Sequence, residues 1–117
     1  MLFISNVVFI IVASTIPSTG ISVWHFDKVG HFCAYCSLSV LLFFAFKSIK
    51  TRTIAFLFSI ALGCILEWIQ SYIPGREMSI YDEIANVIGL LCGAIIYRYF
   101  KDSIILVLSK LAKKGER

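Results

Sequence analysis

Four long apolar runs separated by short polar breaks constrain this chain more than any other feature. They cover about residues 2–16, 28–46, 53–73 and 80–100. Continuous apolar stretches of this kind point to helices in a bilayer, because lipid offers the backbone no hydrogen-bond partners and a helix satisfies its own. A β-barrel would instead alternate apolar and polar residues over about ten positions per strand. Composition agrees: 59% hydrophobic residues, 15% charged and a mean hydropathy of +0.88 exclude a soluble globular domain. The expected fold is all-α, a four-helix transmembrane bundle with a short basic interfacial C-terminal helix over 103–117. Because each crossing takes roughly 20 residues, the 117 residues form a single membrane domain.

The breaks set the topology. Pro17, Ser18 and Gly20 end the first run, which lacks the basic leader of a signal peptide, and Trp24 and His25 suit a membrane interface. Lys47, Lys50 and Arg52 form a basic turn between the second and third helices, and Pro74 and Gly75 stop the third. A basic tail follows the fourth helix, carrying Lys101, Lys110, Lys113, Lys114 and Arg117. The positive-inside rule places that turn and that tail in the cytoplasm, so both termini lie inside and the other two loops face outward. Ser103 to Ala112 is apolar but too short to span, and its flanking lysines suit a helix lying on the anionic inner leaflet. The implied location is a membrane crossed several times, with the lipid bilayer as the first partner.

The net charge of +4 is explained by these helix ends, so no nucleic-acid partner is indicated. Cys33, Cys36, Cys64 and Cys92 all fall within apolar runs and read as reduced packing residues. Cys33 and Cys36 have a C-x-x-C spacing, but on a helix both point about 140° to 160° away from His31. No cofactor and no metal are expected: His31, Glu67 and Asp82 offer ligand atoms, yet at separations that match no specific metal motif.

Burying an ionisable group in a bilayer is costly unless it is paired or functional, so the polar residues inside the runs carry the functional information. At about 100° per residue, Asp27, Lys28, His31 and Tyr35 share one arc at the outer end of the second helix. Glu67, Gln70 and Ser71 share another at the outer end of the third, above Gly63. Asp82 and Asn86 line the outer end of the fourth, with Gly89 and Gly93 below them as a small-xxx-small surface for close helix approach. Arg76 lies in the adjoining loop. Structural roles compete with functional ones: Asp27 suits a helix cap, Ser79 with Asp82 suits a capping box, His31 suits interhelical packing, and Arg76 suits an interfacial charge. Glu67 lies about 9 Å inside its helix, beyond the reach of capping its own terminus. The geometry predicts that His31, Glu67, Arg76, Asp82 and Asn86 converge, with His31, Glu67 and Asp82 within roughly 10 Å of one another.

Pro17-Ser18, followed by Asp27-Lys28-x-x-His31-Phe32-x-x-Tyr35, resembles the opening signature of the VanZ-like family of bacterial membrane proteins. Glu67-x-x-Gln70, Pro74-Gly75-Arg76 and Asp82-x-x-x-Asn86-x-x-Gly89 resemble its second block, in the same order. The resemblance spans Pro17 to Gly93. It implies a link to low-level resistance to the glycopeptide teicoplanin, the association of the founding member, or to envelope maintenance.

Two functions follow from these residues. The first is binding of an anionic cell-envelope component, a lipid-linked precursor or a phospholipid, with Arg76, Lys28 and His31 as donors and Glu67 and Asp82 orienting them. Asp27, Tyr35, Gln70 and Asn86 complete that ligand-binding set. The second is a membrane enzyme acting on a lipid-linked or phospholipid head group, with His31, Glu67 and Asp82 as acid/base candidates.

Overall fold

The computed structural model describes the backbone of residues 1–17 and 24–115, and the side chains of all of these except 24–26. Among the described residues four helices follow in order: α1 (Leu2–Thr15), α2 (Trp24–Ala45), α3 (Ile49–Gln70) and α4 (Ile80–Gly115). Helices α2, α3 and α4 are each long and apolar enough to cross a membrane. Helix α1 has 14 residues, about 21 Å at 1.5 Å per residue, against a hydrocarbon core of about 30 Å. It nevertheless runs between the same two ends as its neighbours. Phe3 meets Phe46, just past α2, edge-to-face with ring centroids 5.5 Å apart. At the other end, the carbonyls of Ala13, Ser14 and Ile16 accept hydrogen bonds from Arg76 and Gln70. The helices therefore alternate up and down.

Helices α2 and α4 make the closest contact in the bundle, and its cause is the pair of glycines. A Cβ on Gly89 would lie 2.5 Å from the Phe32 carbonyl oxygen, and one on Gly93 would overlap the Cys36 carbonyl oxygen. The two backbones touch, as the small-xxx-small spacing predicts. Tyr35, Leu38, Leu66 and Leu90 form the interior together with Ile10 from α1. The exterior is apolar too: Ile54, Leu57, Phe58, Ile88, Leu91 and Ile95 are all exposed. Ser39, Ser59, Glu67 and Asn86 are buried instead. Polar inside and apolar outside is the distribution that lipid requires.

The basic end is locked by Arg52. Its Nε donates to the Phe46 carbonyl, and one terminal nitrogen donates to the Phe43 carbonyl and to the Tyr97 hydroxyl, at 2.7, 2.9 and 3.0 Å. The guanidinium thus satisfies carbonyls at the end of α2 that have no intrahelical donors, while lying over the Phe43 and Tyr97 rings.

Three boundaries differ from the sequence expectation. Helix α2 starts at Trp24, one turn before Lys28. Helix α3 runs from Ile49 to Gln70, and Ser71, Tyr72 and Ile73 follow in tighter turns that bond back to Trp68, Ile69 and Gln70. Pro74 disfavours helical geometry at Ile73, and Gly75 has φ of 77°, which a side chain rarely tolerates. The third difference corrects the tail. Among the described residues no separate interfacial helix forms after Phe100, where the sequence suggested one over 103–117, because α4 continues unbroken to Gly115. Between Phe100 and Gly115 the sequence has neither proline nor glycine to stop it. Ser18, Gly20 and Arg117, and the side chains of Trp24 and His25, lie outside the described residues.

Candidate functional site

The end of α3, the loop that follows it and the starts of α2 and α4 enclose a cleft of about 570 Å³, lined by Asp27, Lys28, His31, Gln70, Arg76 and Asp82 among others. Alternating topology brings these elements to one end, and the polar arc of each helix then faces its neighbours rather than lipid. Glu67 is 3% exposed, Asp82 8% and Asn86 1%, so the carboxylates are withdrawn from the lipid-facing surface.

His31 is the hub. Its Nδ1 lies 3.0 Å from Asn86 Oδ1, and its Nε2 lies 3.7 Å from Glu67 Oε1 and 3.8 Å from Asp82 Oδ2. Asn86 donates through Nδ2 to Glu83 Oε2 at 3.0 Å, which leaves its Oδ1 as the acceptor that faces the ring. The tautomer follows: Nδ1 carries the proton donated to Asn86, and Nε2 points toward the two carboxylates.

Each carboxylate is held by its other oxygen. Lys28 Nζ donates to Asp82 Oδ1 at 2.9 Å. The backbone N–H of Ser79 donates to Glu67 Oε2 at 3.2 Å. No capping box therefore links Ser79 to Asp82. The start of α4 is met instead by a carboxylate from α3, and Asp82 is released to pair with Lys28.

The other sequence candidates divide into wall and scaffold. Asp27 is exposed on the cleft wall. Tyr35 is 1% exposed and belongs to the apolar interior. Gln70 and Arg76 line the cleft but tie it to α1. Gln70 donates to the Ser14 carbonyl at 3.2 Å, and Arg76 donates to the carbonyls of Ile16 and Ala13 at 2.8 and 2.9 Å. Arg76 thus satisfies open carbonyls at the end of α1 as Arg52 does for α2.

Glu83 was not among the sequence candidates. Its carboxylate occupies the gap left by Gly63, where a Cβ would lie 2.5 Å from Glu83 Oε2, and it fixes the Asn86 amide. The signal was present as a carboxylate three residues before Asn86 and a glycine four residues before Glu67, but on different helices. The cysteines are all free, with Cys33 and Cys64 exposed on the outside of the bundle, and none joins the cleft.

A second cavity of about 210 Å³ runs between α1 and α2, lined mainly by Phe9, Ile10, Ala13, Gly30 and Ala34. It shares Asp27, His31 and Arg76 with the polar cleft.

No curated protein and no solved structure matches the chain. A family profile described as VanZ/LLP1 matches residues 2–104, a span that contains the three polar arcs and Arg76. With three helices able to cross a bilayer and that match over most of its length, the chain is a multi-pass membrane protein that belongs to the VanZ/LLP1 family.

Proposed function

We propose that the cleft binds the anionic, phosphate-bearing head group of a cell-envelope lipid or lipid-linked precursor. The observation that carries this reading is the junction of the two cavities. A polar cleft opens at Asp27, His31 and Arg76 onto an apolar groove between α1 and α2, which is the shape of an amphiphile rather than of a soluble anion. Lys28 and the guanidinium donors of Arg76 not taken by α1 would meet the phosphate. The apolar chain would follow Phe9, Ala13 and Ala34. By the positive-inside rule the Lys47, Lys50 and Arg52 end is cytoplasmic, so the cleft opens on the outer face of a bacterial inner membrane. A role in glycopeptide resistance or envelope maintenance would follow from sequestering or presenting such a lipid.

Native mass spectrometry of the full chain exchanged into bicelles tests the reading. Phosphatidylglycerol should be retained over phosphatidylcholine, with retention falling about tenfold in Lys28→Gln and Arg76→Gln. Equal retention of both lipids by the parent and the variants would overturn it. A second reading, acid/base chemistry on the same head group, draws on the fixed His31 tautomer, which leaves Nε2 to take a proton. It requires turnover of the bound lipid, measured as released head group, that His31→Gln abolishes.

A further inference from the structure

Around His31 three side chains are arranged alike. Each is fixed by one heteroatom and directs a second into a common space. His31 is held at Nδ1 by Asn86, Glu67 at Oε2 by the Ser79 N–H, and Asp82 at Oδ1 by Lys28. Of the remaining atoms, Nε2 lies 3.7 Å from Oε1 and 3.8 Å from Oδ2, and one ligand atom from each of the three residues falls within 4.8 Å of the others. None of these contacts is a hydrogen bond, since 3.7 and 3.8 Å exceed hydrogen-bond reach. Glu67 Oε1 is buried and accepts no hydrogen bond from the described residues, although its residue is only 3% exposed. A buried carboxylate oxygen left open toward an imidazole nitrogen and a second carboxylate calls for a cation or a proton between them.

We infer that His31, Glu67 and Asp82 bind a divalent transition-metal ion, zinc in class, at the base of the cleft. One imidazole nitrogen and two carboxylate oxygens suit zinc better than calcium or magnesium, which take oxygen ligands. Three protein ligands leave a coordination position open. Asn86 supplies the partner that metal-bound histidines use to fix their ring, and Ser79 and Lys28 do the same for the carboxylates. Local charge agrees: the carboxylates of Glu67, Asp82 and Glu83 outnumber the ammonium of Lys28, an excess that a cation would offset. The sequence concealed the site because its ligands come from three helices, at separations that match no metal motif. The inference is independent of which lipid the cleft receives.

The test uses the full chain in detergent, stripped with a chelator and titrated with Zn²⁺ by calorimetry and with Co²⁺ by absorption. One ion should bind per chain and raise the melting temperature. Glu67→Gln, which keeps an oxygen for Ser79, and His31→Gln should each weaken binding at least tenfold while still unfolding cooperatively. Cys33→Ser/Cys36→Ser should bind as the parent does. The absence of saturable binding to the parent, or undiminished binding in both ligand variants, would overturn the site and leave the three residues sharing a proton. An intense thiolate charge-transfer band with Co²⁺ would overturn it as well, and needs no variant to fold.

Discussion

Glu67 and Ser79 are joined across two helices: a carboxylate oxygen one turn from the end of α3 accepts the backbone N–H that precedes α4, at 3.2 Å. The loop through Pro74 and Gly75 is thereby closed by a side chain, and the same residue presents its second oxygen to His31 at 3.7 Å. One side chain holds the start of a helix and forms one wall of the site.

These two duties separate by substitution. Glu67→Ala removes the acceptor and should destabilise the bundle by about 1 kcal/mol, the usual cost of a lost cap. Glu67→Gln retains an acceptor for Ser79 and should melt within about 0.5 kcal/mol of the parent. Thermal unfolding in detergent measures both, and equal losses in the two variants would show that the cap contributes nothing.

The glycine contact between α2 and α4 gives the sharpest stability prediction. In Gly93→Leu the new Cβ meets the Cys36 carbonyl and the Ser39 side chain, and backbone cannot yield as a flexible side chain can. Overpacking costs typically 1–3 kcal/mol, and forcing two touching backbones apart should reach the upper end. Gly30→Ala, where nothing lies within 4 Å, should be tolerated. An unchanged melting temperature for Gly93→Leu would mean that this contact is misassigned.

At the basic end, Arg52→Ala removes bonds to Phe43, Phe46 and Tyr97 and should cost about 2–3 kcal/mol. Tyr97→Phe removes a single acceptor and should cost about 1 kcal/mol. Because the two residues share a partner, the double variant should lose less than the sum of the single losses. Strict additivity, measured by unfolding in detergent, would argue against coupling through the hydroxyl.

Orientation is tested with a membrane-impermeant thiol reagent on intact cells, in a background with the native cysteines replaced. Glu77→Cys should label and Lys110→Cys should label only after permeabilisation, as alternation with the basic end inside requires. The reverse pattern would turn the cleft toward the cytoplasm.

Much of this was legible in the sequence, because in lipid a polar residue is informative wherever it falls. The arcs holding His31, Glu67 and Asp82 had to face inward, and Gly89 and Gly93 identified the helix surface that comes closest to a neighbour. Glu83 was not legible. It lies about 100° around α4 from Asp82, and its place is a gap made by Gly63 on another helix. Nor were the duties of Gln70 and Arg76, since their partners are the backbone carbonyls of Ala13, Ser14 and Ile16, and any residue type has a carbonyl. The unbroken course of α4 was written in the absence of a breaker between Phe100 and Gly115, a weaker signal than the change from apolar span to basic tail.

That continuity gives the molecule a lever. Asp82 and Asn86 at the cleft and Lys113 at the far end are parts of one 36-residue helix, about 54 Å long. The fulcrum is where Gly89 and Gly93 rest on α2. A tilt of about 5° about that point swings the distal end by roughly 3 Å, given the rise of a helix. The same tilt moves Asp82, about 14 Å from that point, by about 1 Å, so a shift at the cleft reaches the lysines enlarged between two- and threefold along one unbroken helix.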